Sequence, residues 1–340
     1  MKITILGSGT WGTALAQVLA DNGNDVLIYG NQEGQINDIN NRHKNAFFFG
    51  EDIVLPEAIK GTLDLKEAIH DADIILLSVP TVAYRSLLKE VVAILEKPAI
   101  FINTAKGFDT EKNIRISELI RECVPEEKIK AIVSLIGPSH AEEVIVRDLT
   151  CVCSVSLNEE AAAQVAELFS NEYFRVYTNS DEIGSEIGVA MKNAIALASG
   201  MLEGLGFGDN ARAALCTRGL AEIVRFGKYF GGKAHTYLGL TGLGDLIVTC
   251  YSFHSRNFTA GLQIGKDNGV ENFFKTNTKT VEGIRTVQVI YDIAQKEGIE
   301  LPIIEALHKV IYEGSKPSEV IKELMNRPIR SEKETYGTIK

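Results

Sequence analysis

The residues best suited to chemistry in this chain begin with a lysine in an otherwise uncharged stretch. Between Glu186 and Glu203 runs the segment IGVAMKNAIALASGML, whose one charged residue is Lys192. Apolar residues recur there at helical spacing, and no acid lies one turn before or after the lysine. A helix without a charged face is buried on most sides. Because burial destabilises an ammonium group, we expect Lys192 to exchange protons or bind a ligand. The alternative is a lysine that extends its amine to the surface.

A second isolated charge is Asp245, in the run GLGDLIVTC at 242–250. A charge among apolar residues needs a partner because its desolvation is costly. The economical hypothesis is that Asp245 and Lys192 contact each other or share a ligand. The alternative is that Asp245 caps the start of a helix.

Three further segments carry polar groups that are candidates for the functional site. Ser255, Arg256 and Asn257 combine a hydroxyl, a planar donor fork and an amide where a loop enters a helix, which suits a phosphate; an ordinary surface triplet is the alternative. Lys106 follows a predicted strand, so it is a candidate for the rim of the site or a plain solvated lysine. The segment 137–142, GPSHAE, opens another helix, and His140 fits a polar helix start better than a base.

The N-terminal segment ITILGSGTWG predicts a nucleotide-binding loop. A strand runs into Gly7, Gly9 and Gly12 at G-x-G-x-x-G spacing, and a helix follows near Trp11. The glycines permit a tight turn, a close approach of a pyrophosphate and close packing of helix on strand. The helix N-terminus offers free N–H groups to the phosphates. The strand–turn–helix context makes dinucleotide binding the expected function of this segment.

The position that usually selects the cofactor is less decisive. The second strand ends before Asn31 and Gln32, where an acid would favour NAD and an arginine would favour NADP. Either amide can hydrogen-bond a ribose. The choice between NAD and NADP therefore stays open.

The pattern of elements predicts two domains. Residues 1–180 alternate apolar strands with amphipathic helices, which indicates an α/β domain of Rossmann type with a mostly parallel sheet. Residues 181–340 read as an all-α domain. Strands are predicted at 2–6, 25–29, 73–79, 99–103, 130–136, 151–156 and 173–177, and helices at 12–22, 81–95, 114–122, 159–170, 184–203, 209–229, 281–297, 303–313 and 317–325. The polar last ten residues are expected to fray.

Composition excludes several classes of protein. A net charge of −10 argues against a nucleic-acid surface. No apolar run reaches the length of a membrane span, so no integral membrane contact is expected. The five cysteines have no C-x-x-C spacing, which favours free thiols in the cytoplasm. No His or Cys cluster has metal-ligand spacing, so no metal is expected.

With these residues in view, the chain resembles the bacterial NAD(P)-dependent glycerol-3-phosphate dehydrogenases over residues 2–325. The resemblance rests on GSGTWGTALA (7–16), AKG (105–107), GPSHAEE (137–143), FRVYTN (174–179), the pair Lys192–Asn193, GLGFGDNARAAL (204–215), TRGLAEI (217–223), GLTGLGDLIVTC (239–250), HSRN (254–257) and VEGIRT (281–286). It implies that dihydroxyacetone phosphate and sn-glycerol 3-phosphate are interconverted with NAD or NADP, in support of phospholipid synthesis. A homodimer is expected by the same resemblance.

The resemblance also implies roles for individual residues. Lys192 would be the catalytic acid/base. The substrate would be lined by Lys106, Gly137, Ser139, Lys192, Asp245, Ser255, Arg256 and Asn257. The dinucleotide would contact Gly7, Gly9, Thr10, Trp11, Gly12, Asn31, Gln32, Lys106, Ala141, Arg256, Thr280 and Glu282. Asn31 and Gln32 depart from the basic residues common at these positions.

Two other functions compete with this one. Another two-domain dehydrogenase, of the 3-hydroxyacyl or hydroxy-acid type, would want a His–Glu pair, and His140 has no obvious partner in the sequence. A protein that senses NAD(P) without turnover would not need isolated charges such as Lys192 and Asp245, because buried charges are costly.

Overall fold

In the computed structural model, residues 1–329 and 331–332 are described, and they fall into two compact units. The first unit is Met1–Glu182 and the second begins at Ile183. The predicted fraying of the last ten residues concerns positions that lie mostly outside the described part of the chain. The described helices all fall short of the length and apolar character that crossing a bilayer requires.

The first unit is built on an eight-stranded sheet. Its strands are β1 Ile3–Leu6, β2 Val26–Tyr29, β3 Ile59–Thr62, β4 Ile74–Leu77, β5 Ala99–Asn103, β6 Ile129–Ile136, β7 Thr150–Val155 and β8 Phe174–Asn179. They lie in the order β3-β2-β1-β4-β5-β6-β7-β8. In the described chain, neighbouring strands pair in parallel except β6 and β7. The order reverses between β1 and β4, the place where open α/β sheets bind ligands.

Helices cover both faces of the sheet and make up most of the second unit. The helices of the described chain are α1 Thr10–Asp21, α2 Glu33–Arg42, α3 Ala46–Phe49, α4 Leu65–Ile69, α5 Tyr84–Ile94, α6 Ile116–Cys123, α7 Ala141–Val144, α8 Glu159–Phe169, α9 Glu182–Gly204, α10 Asp209–Tyr229, α11 Asp245–Tyr251, α12 Arg256–Asp267, α13 Glu271–Thr276, α14 Glu282–Glu297, α15 Pro302–Tyr312 and α16 Pro317–Met325. Two apolar clusters, one on each face of the sheet, bury the strand residues against α1 and α8 and against α5 and α6. A π-helical turn at Leu240–Gly244 leads into α11.

The predicted fold class is confirmed: a Rossmann-type α/β unit is followed by a helical one. Each predicted strand overlaps an observed strand. The elements that the pattern missed are β3, α2, α3, α4, α11 and α13. Their local signals are weak; β3, for example, is a short edge strand whose lysine is exposed. The helix start predicted at Ser255–Asn257 is confirmed by α12, although its two glycines hid how far the helix extends.

The long helix α9 is buried nearly all round, as the absence of charge predicts. Residues 184–197 are all buried. Its glycines allow α12 to approach very closely: a Cβ on Gly200 would lie 2.0 Å from the carbonyl oxygen of Phe258, and one on Gly204 would lie 2.4 Å from that of Leu262. In return, a Cβ on Gly261 of α12 would lie 2.0 Å from the Leu197 carbonyl oxygen. Backbone therefore packs on backbone along this contact.

Candidate functional site

The loop after β1 has the geometry of a phosphate-binding turn. Gly7 has φ +125°, and a Cβ there would meet the Ser78 carbonyl oxygen at 2.4 Å. A Cβ on Gly12 would meet the Gly7 carbonyl oxygen at 2.1 Å, so α1 packs directly on the loop. Around Gly9 a Cβ would meet nothing within 4 Å, which leaves room for a ligand at the start of α1. Each glycine thus fits the demand that a dinucleotide makes on it.

Thr10 and Trp11 form the first turn of α1, where backbone N–H groups lack helical acceptors. Ala141 begins α7 and is buried. These positions lie after β1 and β6, at ends of parallel strands. A helix start of this kind suits an anion, and α1 is long enough to add its dipole.

The segment after β2 is exposed. Asn31 and Gln32 lie there at the surface, and Gln32 precedes α2. The nearby Arg42 pairs with Asp38 at 3.1 Å and also contacts Glu51. Arg42 lines the same surface pocket as Gln32, and its charge is already paired with acids.

Lys106 lies on the loop after β5 and contacts two of the other predicted residues. Its Nζ donates to the carbonyl oxygen of Gly137 at 2.6 Å and to Ser139 Oγ at 3.3 Å. Gly137 has φ +151°, and a Cβ there would meet the Cα of Val152 at 3.0 Å. The sheet therefore brings the half-buried Lys106 and Ser139 together with the buried Gly137 at the ends of β5 and β6.

Buried polar groups hold the Lys106 loop. Asn103 Oδ1 accepts from the backbone N–H of Ala105 and from the Tyr84 hydroxyl, both at 2.9 Å. Farther along, Arg85 donates two hydrogen bonds to the Asp109 carboxylate at 3.0 and 2.7 Å. Burial by itself would raise the pKa of Asp109, but the bonds from Arg85 and from the Lys112 backbone hold it below its ordinary value.

Lys192 and Asp245 form an ion pair in the interior of the second unit. Lys192 Nζ lies 2.6 Å from Asp245 Oδ1 and also donates to Thr249 Oγ1 at 2.6 Å. Lys192 is 4% exposed and Asp245 is fully buried. The Thr249 hydroxyl in turn donates to the Asp245 backbone carbonyl at 2.6 Å. The two isolated charges therefore pair with each other, as one of the predictions had it. The alternative, in which Lys192 extends its amine to the surface, is not observed.

Asn193 joins the lysine helix to two other motifs. Its Oδ1 accepts from Asn257 Nδ2 at 2.9 Å, and Asn257 Oδ1 accepts from the Gly283 backbone N–H at 2.8 Å. Asn193 Nδ2 lies 3.5 Å from a carboxylate oxygen of Glu282, the first residue of α14. This network fixes Asn257 and Glu282 beside α9.

The remaining predicted residues differ in their surroundings. Ser255 caps α12, since its Oγ accepts from the Phe258 backbone N–H at 3.2 Å. Arg256, the first residue of α12, is exposed, and its side chain makes no hydrogen bond or ion pair with the described residues. Thr280 is exposed just before α14. The structure leaves Arg256 and Thr280 outside the hydrogen-bonded groups.

Sequence reasoning missed two residues that shape the buried centre. Thr249 contacts the Lys192 amine, and Asn193 orients Asn257. The signal for Thr249 was its place one turn after Asp245 in an apolar run, which puts both side chains on one face of a helix. For Asn193, the signal was a polar residue beside a buried lysine.

The glycine loop on a Rossmann-type sheet, followed by a helical unit with a buried lysine–carboxylate pair, is the combination of a two-domain nicotinamide-dependent dehydrogenase. Residues 2–162 match the family NAD-dependent glycerol-3-phosphate dehydrogenase N-terminus, and residues 181–322 match the corresponding C-terminus. The chain belongs to the NAD-dependent glycerol-3-phosphate dehydrogenase family.

Individual relatives agree with this assignment. Glycerol-3-phosphate dehydrogenase (NAD(P)+) of Streptococcus equi subsp. zooepidemicus is 50% identical, over 99% of each chain. The enzyme of the same name from Bacillus cereus is 48% identical over 98% of each chain. A crystal structure of glycerol-3-phosphate dehydrogenase from Coxiella burnetii is similar with a TM-score of 0.86 and 33% identity, covering 96% of this chain and 99% of that one.

Proposed function

We propose that this protein reversibly reduces dihydroxyacetone phosphate to sn-glycerol 3-phosphate with NADH or NADPH, and that it supplies glycerol phosphate for phospholipid synthesis. The observation that carries the proposal is the buried Lys192–Asp245 pair. Family membership and the glycine loop support it. Those findings favour this reaction over a 3-hydroxyacyl or hydroxy-acid reaction, and over a sensor without turnover.

Lys192 is proposed as the catalytic acid/base. The bound nicotinamide supplies or accepts the hydride at C2 of the substrate. As the carbonyl is reduced, negative charge develops on its oxygen, and the Lys192 ammonium stabilises that charge and donates a proton. In the opposite direction the neutral amine accepts the hydroxyl proton. Asp245 and Thr249 hold the amine in place.

The substrate phosphate needs cationic and neutral donors. Arg256 is proposed to bind it, because its guanidinium is exposed and unengaged within the described chain. Ser255, Asn257, Gly137, Ser139 and Lys106 are proposed to line the same substrate. Binding energy from the phosphate then helps to position C2 for reduction.

The dinucleotide is proposed to bind along the β1–α1 loop. Gly7, Gly9, Thr10, Trp11 and Gly12 would contact the pyrophosphate end. Asn31 and Gln32 would contact the ribose, and further contacts are proposed from Lys106, Ala141, Arg256, Thr280 and Glu282.

The direct test is an assay with the purified protein and each reduced cofactor. We expect loss of NADH or NADPH absorbance when dihydroxyacetone phosphate is added, and a far slower rate with dihydroxyacetone, which lacks the phosphate. Equal rates with the two ketones would contradict the proposed binding of the substrate phosphate. No oxidation of either cofactor would refute the proposed reaction.

A cytoplasmic homodimer is proposed as the working form. The family resemblance supports it, and so does a cavity of about 850 Å³ in the second unit, lined mostly by apolar residues of α9, α10, α15 and α16. Association would remove such a surface from water. Size-exclusion chromatography with light scattering tests the dimer, and a mass near the 37.2 kDa of one chain would exclude it.

A further inference from the structure

The second unit holds two free, buried cysteines, Cys216 on α10 and Cys250 on α11. The two thiols lie close enough to influence each other's ionisation. The neighbouring residues confirm that these two helix faces meet: Arg212, one turn before Cys216, lies over the ring of Tyr251, with 5.0 Å from its guanidinium carbon to the ring centroid. Cys250 is fully buried and Cys216 is 8% exposed. One sulfur of the pair thus lies near solvent, and the other lies behind it.

The two thiols differ in chemical character. The hydrogen bond from Cys250 lowers the pKa of Cys216, and the positive charge of Arg212 acts in the same direction against the effect of burial. The same hydrogen bond, together with burial, raises the pKa of Cys250. Cys216 is the more exposed of the two sulfurs and lies one turn from the Arg212 guanidinium, and the thiolate is the nucleophile, so Cys216 is the attacking sulfur. Cys250 is in place to resolve the product.

Cys250 also lies next to the proposed catalytic centre. It follows Thr249 on α11, the helix that supplies both contacts of the Lys192 amine. The Ser199 hydroxyl of α9 donates to the Cys250 carbonyl oxygen at 2.8 Å. A displacement of Cys250 therefore acts on the segment that holds Asp245 and Thr249.

We propose that Cys216 and Cys250 form a reversible disulfide on exposure to a peroxide, and that this bond switches off the Lys192 centre. The effect on activity rests on the proposed dehydrogenase function, whereas the disulfide itself does not. This pair differs from the cysteines of the first unit, since its bond would join two helices of one centre.

The reaction balances with hydrogen peroxide as the oxidant. The Cys216 thiolate attacks one peroxide oxygen, an S–O bond forms, the O–O bond breaks, and hydroxide leaves and takes up a proton. The Cys250 sulfur then attacks the Cys216 sulfur, the S–S bond forms, and water leaves with the Cys250 proton. Two thiols lose two electrons in total, and the peroxide becomes two waters. A dithiol reductant reverses the reaction.

Bond formation must move α10 and α11 relative to each other. A disulfide holds its sulfurs at about 2.05 Å, well inside the separation of two free thiols. The interior of the unit is packed, so the movement is passed to neighbouring side chains. Misplacement of a catalytic group by about 1 Å can cost roughly 100-fold in rate, so we expect a roughly 10- to 100-fold loss of activity.

The test treats the reduced full-length protein with hydrogen peroxide, blocks remaining thiols with iodoacetamide and digests it for mass spectrometry. We expect a linked pair of peptides containing Cys216 and Cys250, and a loss of activity that dithiothreitol restores. Cys216→Ser should remove both effects, and Cys216→Ala covers the case in which serine disturbs the fold. Cys123→Ser, a half-buried cysteine of the first unit, is the matched control and should keep both effects.

Two outcomes overturn the proposal. The absence of the linked peptides rules out the disulfide. Equal loss of activity in wild type and Cys216→Ser shows that the switch lies elsewhere. The peptide linkage is read by mass and needs no turnover, so a failure of the proposed reaction remains distinguishable from a failure of the disulfide.

Discussion

The edge of the sheet and the interior of the helical unit hold their lysines in different ways. Lys106 is half-buried and donates to a backbone carbonyl and a hydroxyl. Lys192 is buried and donates to a carboxylate and a hydroxyl. The Lys106 amine thus contacts two neutral acceptors, whereas the Lys192 amine is paired with a buried carboxylate. The difference supports the proposal that Lys106 binds the substrate and that Lys192 transfers the proton.

Replacing each lysine by methionine is expected to change the kinetics more than any other substitution proposed below. It also tests whether the two lysines have different roles. Lys192→Met should lower kcat by roughly 10²–10⁴-fold, because general acid–base catalysis is lost. Lys106→Met should mainly raise KM for dihydroxyacetone phosphate. Steady-state kinetics of both variants measures the split, with Lys266→Met, an exposed lysine of the same helical unit, as the control. A near-normal kcat for Lys192→Met would show that the acid/base assignment is wrong.

Changing the partner of the buried lysine sharpens the comparison. Asp245→Asn keeps the shape of the side chain but removes its charge, and we expect a roughly 10- to 100-fold lower kcat, since hydrogen bonds to charged groups contribute about 1.5–3 kcal/mol. The control is Asp267→Asn at an exposed position of the second unit. Unchanged kinetics for Asp245→Asn would mean that the Asp245 charge does not contribute to the activity of Lys192 in proton transfer.

One buried carboxyl group in each unit, Glu222 in the second and Asp109 in the first, should change the stability of the protein with pH, and with opposite signs. Burial raises the pKa of Glu222, on α10, to about 8, although it accepts from the Ile303 and Ile304 backbone N–H groups at 2.6 and 3.3 Å. Its contribution to stability is present below its usual pKa near 4.5 and is lost as pH rises toward 8, by at most about 1.4 kcal/mol per pH unit. The lowered pKa of Asp109 acts the other way, with stability lost as pH falls below its ordinary range.

Thermal unfolding of wild type and Glu222→Gln between pH 5 and 8.5 measures this effect. The wild-type Tm should decline with rising pH, and the variant, neutral at every pH, should show a flatter curve. Parallel curves would show that Glu222 does not titrate in this range.

The smallest expected effect concerns the cofactor. Asn31→Arg places a cation on the exposed segment after β2, where Arg42 is already paired. A charge-assisted bond to a 2′-phosphate should improve kcat/KM for NADPH relative to NADH by about 10-fold. The ratio of the two rates checks this, with Asn37→Arg, on the neighbouring α2, as the control for added charge. An unchanged ratio would place cofactor selection elsewhere.

Features that depend on local spacing were predictable from the sequence. The Gly7–Gly12 loop, the strands and the buried α9 follow from patterns within about twenty residues. The Lys192–Asp245 contact spans 53 positions, yet the isolation of both charges was sufficient to predict it. The Asn193–Asn257 bond and the role of Thr249 were not predictable, because neither follows from the periodicity of a segment. The start of α12 was predicted, but its extent was not, because its glycines lower helix propensity and only the close approach of the α9 backbone explains them.

That glycine contact has a consequence for anyone who wishes to make the protein more heat-resistant. Replacing helical glycines by alanine is a standard route to a higher melting temperature. Here Gly200, Gly204 and Gly261 would fail, because a methyl group would collide with a carbonyl oxygen of the facing helix. Gly34 of α2 meets nothing within 4 Å and is the position where the strategy should succeed, by about 0.5–1 kcal/mol. The engineering choice follows from the distance between two backbones, which helix propensity alone does not reveal.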